Sequence, residues 1–142
     1  MGSNAARMVA NNDFLIRTIK PYLDIYNISI EDADIKDDIN NFSIKAVTLT
    51  GLTIIAAEII PFGGSVGIKF TQNGCYFLLK GRTVDRKQEV INFFSTHIKD
   101  ADKNIEDNAR NILLFALKDF ALSNNIDIKV TELGKNELMF TF

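Results

Sequence analysis

Apolar and polar positions change spacing along this chain, and each change marks a candidate element. Phe14, Leu15, Ile19, Tyr22 and Leu23 fall at helical intervals, which predicts a first helix over Asn12 to Leu23. Pro21 is expected to kink it or end its regular part, since proline has no N–H to donate. Ile25, Ile28 and Ile30 then sit among polar residues as a short strand, and Glu31 to Asp38 reads as an acidic surface loop. Asn40, Asn41 or Ser43 supplies a cap for the next helix, because a short polar side chain accepts a bond from an orphan N–H. That helix runs to about Ile60 and stops at Pro61-Phe62-Gly63-Gly64. Being apolar on most sides, it is expected at the centre, with the sheet on one face and a second helix on the other.

The spacing then switches to two. Val66, Ile68 and Phe70 alternate with Gly67, Lys69 and Thr71, and Cys75, Phe77 and Leu79 alternate on the return. Asn73-Gly74 between these runs predicts a tight hairpin whose turn uses positive φ. A third helix is expected over Val84 to Ile98, with Val90, Ile91, Phe94 and Ile98 on one face. A fourth, from Ile105 to Leu122, places Ile105, Ala109, Ile112, Leu113, Ala116, Leu117 and Phe120 on one stripe. Asn124-Asn125 ends it in the left-handed conformation. Ile126, Ile128 and Val130 alternate, Gly134 lies in a turn, and Leu138, Phe140 and Phe142 alternate to the terminus.

Hairpins and helices in this order predict an α+β fold, a two-layer sandwich with helices on one face of a mixed sheet. With no linker, repeat or low-complexity segment, residues 8–142 read as a single domain. Residues 1–7 read as an expression-vector remnant, with no apolar core of a signal peptide. The run from Ala46 to Ile60 is apolar but carries three threonines and Glu58, so it reads as a buried core helix and no membrane span.

Composition narrows the chemistry. The 142 residues are 46% apolar with a net charge of −2, an ordinary globular balance without a basic footprint for nucleic acid. One cysteine, Cys75, excludes an internal disulfide and a cysteine-based zinc site, consistent with the cytoplasm. In its strand it reads as a small core hydrophobe. The one histidine, His97, reads as a surface or boundary residue of the third helix. Asp32, Asp34, Asp37 and Asp38 lack the glycine turn and terminal Glu of a calcium loop. Glu58, in an apolar helix, is the candidate for a perturbed carboxylate, against a plain reading as an exposed or lysine-paired residue. Lys80, Arg82, Arg86 and Lys87 form the one basic cluster, either a docking patch for an acidic surface or a solvated helix start. No nucleophile elbow and no Walker loop occurs.

Two stretches carry a resemblance. Thr50 to Phe70, TGLTIIAAEIIPFGGSVGIKF, resembles the segment of GHKL ATPases and sensor histidine kinases in which a long helix ends at a Pro-x-Gly-Gly turn. Asn111 to Glu132, NILLFALKDFALSNNIDIKVTE, resembles their last helix and following strand. The likeness covers most of the chain beyond Asp13 and implies the GHKL sandwich. The ATP-binding residues do not carry over. The positions of the two metal-binding asparagines look like Gly51 and Ile55, neither of which offers Mg²⁺ an oxygen. Where the family reads adenine with an acidic residue stands Leu79-Lys80-Gly81-Arg82-Thr83. Where it has a second glycine box stands Asp107-Asn108-Ala109-Arg110.

Ala56-Ala57-Glu58-Ile59-Ile60-Pro61-Phe62-Gly63-Gly64 is similar to the stretch typical of the alphaproteobacterial histidine phosphotransferases, whose kinase-like domain does not bind ATP. That resemblance implies a non-catalytic domain of a phosphorelay that helps dock response-regulator receiver domains. In that family an N-terminal helical hairpin carries the reactive histidine and makes the dimer; it has no counterpart before Asp13. The expectation is therefore no catalytic residue, no cofactor and no metal in this chain. The alternatives are a divergent ATP-binding GHKL kinase domain and a stand-alone protein-interaction module.

Overall fold

The computed structural model describes residues 12–36, 38–95 and 112–142. In chain order the elements are α1 (Asn12–Ile25), β1 (Ile28–Ile35), α2 (Phe42–Ile59), β2 (Gly64–Thr71), β3 (Gly74–Gly81), α3 (Lys87–Ser95), α4 (Ile112–Ser123), β4 (Lys129–Gly134) and β5 (Glu137–Thr141). The strands form one sheet in the order β1-β2-β3-β5-β4. Only β1 and β2 are parallel, because α2 carries the chain back between them; the other neighbours are antiparallel.

Strand alternation collects the core on one face. Val66, Ile68 and Phe70 of β2, Cys75, Phe77 and Leu79 of β3, and Leu138 and Phe140 of β5 are all buried. The helices cover this face, giving the expected two-layer α+β sandwich. Withdrawing each large apolar side chain from water contributes about 1.5–3 kcal/mol. α2 lies at the centre, with Leu49, Leu52, Ile55, Ala56 and Ile59 essentially without exposed surface. It has the length and composition to cross a membrane, yet here it packs as a core helix touching α1, α4 and β3. Its hydroxyls are satisfied within the helix: Thr48, Thr50 and Thr53 donate to the carbonyls of Ile44, Ala46 and Leu49.

Several sequence expectations need correction. α1 continues through Pro21 to Ile25, so Ile25 ends a helix and belongs to no strand. The acidic segment is not a loop over its first half, because β1 extends to Ile35. A register shift between Ile30 and Asp32 inserts one extra residue opposite β2. This bulge breaks the period of two that would otherwise reveal a strand. Asn41 does precede α2, but it takes the left-handed conformation (φ 58°) and its side chain makes no capping bond. The first hairpin turns on Gln72 and Asn73, with Thr71 paired to Gly74. Gly74 takes the expected positive φ (156°), but Asn73 does not. Instead the Thr71 hydroxyl accepts the N–H groups of Asn73 and Gly74, both at 3.2 Å, and donates to the Gly74 carbonyl at 2.8 Å.

α4 presents a different face from the one expected. Leu114, Leu117, Lys118 and Ala121 are its buried residues, while Ile112 is two-thirds exposed and Ala116 is also exposed. A helix apolar nearly all round has no strong stripe, and the lysine on its inner face hides the true one. Asn125 adopts the expected left-handed conformation after α4 (φ 60°). Ile126 and Ile128 are buried ahead of β4, and Gly134 is that strand's last residue. His97 and Asp107 to Arg110, with the ends of the third and fourth helices expected around them, lie outside the described residues.

Candidate functional site

Gly51, partly buried, and Ile55, fully buried, sit on α2. A Cβ on Gly51 would stand 2.8 Å from Cδ1 of Leu117, so the glycine lets α4 lie directly against α2. Ile55 is 1% exposed. Among the described residues, what stands nearest a side chain at Gly51 is the hydrocarbon of Leu117, and neither Gly51 nor Ile55 itself carries a side-chain oxygen for a hard cation. The resemblance alone suggested a ligand position at Gly51; the leucine that fills the space above it carried no signal, since Leu117 reads as one more core position.

The glycines of the turn and loop serve backbone crowding. Gly63 is left-handed (φ 84°), and a Cβ there would come within 2.6 Å of the Asn27 carbonyl oxygen. A Cβ on Gly64 would run into the carbonyl of Lys80, and one on Gly81 would meet Ile60 Cγ2 at 2.6 Å. Hydrogen bonds close the junction: Gly64 N–H donates to Asn27 (3.1 Å), Gly81 N–H to Asn136 (3.1 Å) and Asp85 N–H to Ile59 (2.7 Å). Asn136 also donates its amide to the Arg82 carbonyl at 3.0 Å. Left-handed Asn27 and the Asn136 side chain are the residues that sequence reasoning missed here.

The charges around this junction are mostly answered. Arg86, left-handed at the entrance to α3 (φ 57°), reaches Glu89 at 2.6 Å and Glu58 at 3.6 Å. Its hydrogen bond to Glu89 holds the guanidinium above its usual range. Glu58 is therefore half-exposed and arginine-paired. Lys87 bridges to Glu132 (3.3 Å) and donates to the Lys135 carbonyl (2.7 Å), while Lys80 faces Glu31 at 3.6 Å. Of the basic cluster only Arg82 makes no ion pair among the described residues. Tyr22 stands beside the junction; burial, then a hydrogen bond with Tyr26, raises its phenol.

Two further groups lie elsewhere. Burial pushes the Cys75 thiol up to about 11, an inert core position. Lys118 is buried on α4, with Nζ donating to the Phe93 carbonyl at 2.7 Å and lying 4.9 Å from that residue's ring centre. Burial lowers its ammonium below the usual lysine value, against the charge of Asp127. Asp32, Asp34 and Asp38 are exposed, Asp37 lies outside the described residues, and no metal-holding cluster occurs among those described. A cleft of about 540 Å³ between α1 and β1, bordered by Asp13, Ile16, Arg17, Ala33 and Ile35, involves none of the residues above.

No family model matches the chain, and no curated protein matches it. A solved structure of a bacterial phosphotransferase superposes with a TM-score of 0.51 over 81% of this chain, at 12% sequence identity. The two proteins share a fold. The chain spans 54% of that phosphotransferase's length, so the larger protein has a further part with no counterpart in the match.

Proposed function

We propose that this chain is a GHKL-like domain of a histidine phosphotransferase, one that docks response-regulator receiver domains and has no use for ATP. The fold shared with a bacterial phosphotransferase is the observation that carries the reading. The packing of Leu117 over Gly51 supports the second half, because a leucine takes the space that a metal-binding asparagine side chain would need at that position. The turn built from Gly63 and Gly64 is explained by close backbone approach, without any phosphate. Titration calorimetry of the whole chain tests both halves. The expected result is saturable heat with at least one receiver domain from the same genome and none with millimolar Mg-ATP. Tight Mg-ATP binding overturns the nucleotide-free reading in favour of a divergent kinase domain. Silence from every receiver overturns the docking role.

A further inference from the structure

The proposed function leaves the Asn73-Gly74 step of the first hairpin unused, yet this step carries chemistry of its own. Of the chain's asparagines, Asn73 is the one followed by glycine. Asparagine is a thermolabile residue, because the backbone nitrogen that follows it can attack its side-chain amide. A side chain on the following residue obstructs that approach, and glycine has none. Even a Cβ at Gly74 would find nothing closer than the Tyr76 hydroxyl oxygen at 3.9 Å, so the space around this position is open. Asn73 is exposed, and its side chain makes no hydrogen bond among the described residues. Other asparagine side chains are held: Asn124 donates to the Phe120 carbonyl at 2.8 Å, Asn136 donates to Arg82, and Asn92 accepts from Gln88 at 3.0 Å.

What closes the turn also holds the nucleophile. Neither Gln72 nor Asn73 takes positive φ, so the loop lacks the primed turn that suits the twist of a two-residue hairpin. The Thr71 hydroxyl closes it instead, and one of the two N–H groups it accepts belongs to Gly74. That nitrogen must give up its proton and swing toward Asn73 Cγ before it can bond to carbon. The bond to Thr71 opposes both, so the turn has to open locally before attack.

We propose that Asn73 is a site of spontaneous deamidation and that the Thr71 hydroxyl sets its rate in the folded chain. Base takes the Gly74 N–H proton, the nitrogen bonds to Asn73 Cγ, and the Cγ–Nδ2 bond breaks. Ammonia leaves, and a five-membered succinimide remains. Water then adds to one of the two imide carbonyls, and that carbonyl's bond to nitrogen breaks. Opening at Cγ leaves isoaspartate unformed and gives aspartate; opening at the main-chain carbonyl gives isoaspartate, whose backbone is one atom longer. That atom falls inside a two-residue loop, where it carries the Gly74 N–H away from Thr71. The test incubates the full chain at mildly alkaline pH and follows every asparagine by peptide mapping that separates aspartate from isoaspartate. Asn73 is expected to convert before any other asparagine in the folded chain, and the isoaspartate form to melt below the parent. Thr71→Val is expected to convert roughly fivefold faster than the parent, the weight of one hydrogen bond in an opening equilibrium. Thr71→Ser keeps the hydroxyl and should match the parent, and in urea all three should convert at one rate. Thermal melts check that each variant folds. Earlier conversion of another asparagine overturns the site, and a Thr71→Val rate equal to the parent's overturns control by the hydroxyl. The parent compared with itself in urea needs no variant: equal rates folded and unfolded overturn the restraint.

Discussion

At the scale of single residues, Gly51 and Lys118 show how much depends on what stands opposite a position. Gly51→Ala gains about 0.8–1.0 kcal/mol of helix propensity. It must also push aside Leu117 Cδ1, the end of a side chain only 5% exposed. The two effects are of similar size, so the alanine variant is expected to lie within about 1 kcal/mol of the parent in urea unfolding. Gly51→Asn adds three more heavy atoms than alanine to the same gap. It is expected to destabilise by about 1–3 kcal/mol, and a double-mutant cycle with Leu117→Ala should show clear coupling. Additive effects in that cycle would show that the two positions do not compete for space. Lys118 gives a pH-dependent signature. Its folded-state value lies below the ordinary 10.5, so across that interval the unfolded chain binds more protons. Stability from this group therefore rises as pH climbs through that window. Comparing urea midpoints of the parent and Lys118→Met across that range isolates it; identical pH profiles would show that burial leaves the ammonium unaffected.

At the scale of elements, legibility followed the strength of each local pattern. α2, β2, β3 and β5 were readable because their apolar spacing is unbroken and their inner faces are buried without exception. β1 was half lost: an edge strand carries acids on its open side, and the bulge after Ile30 spaces Ile30 and Ala33 by three. The face of α4 was misread because nothing in the sequence says that Lys118 turns inward to the Phe93 carbonyl. The first hairpin was found from Asn73-Gly74, yet its turn is held by the residue before it. Thr71 accepts two backbone N–H groups and donates one bond, so Thr71→Val should destabilise by about 1 kcal/mol while keeping the register of β2 and β3. Thermal melts measure the loss. A neutral result would mean that water or an Asn73 rearrangement replaces the hydroxyl.

At the scale of the molecule, the candidate site was legible only as a set of absences. Gly51, Ile55 and Lys80-Gly81 stood out only as departures from the pattern they resemble, and the contacts that this junction and helix pair do use come from distant segments: Leu117, Asn27 and Asn136. Such contacts depend on tertiary neighbours, which local spacing does not encode. The exposure of Ile25 and Phe62 was equally hidden, because Ile25 reads as a strand residue and Phe62 as turn punctuation. One cysteine offers a measure of how far the sheet, helices and junction behave as one body. Cys75 lies in β3, without exposed surface, between the helical layer and its strand neighbours. Its raised value, about 11, keeps it a thiol at neutral pH, so a disulfide reagent reaches a reactive thiolate only when the core opens. If opening is global, the labelling rate should rise with urea along the slope of equilibrium unfolding. Labelling that is insensitive to urea would place Cys75 in a locally opening edge and divide the core. The same thiol contributes a pH term opposite in sign to that of Lys118. Above about 9 the unfolded chain releases a proton that the folded chain keeps, so stability from Cys75 falls as pH rises toward 11. Relative to the parent, Cys75→Ala should therefore tilt the alkaline stability profile upward with pH and Lys118→Met should tilt it downward.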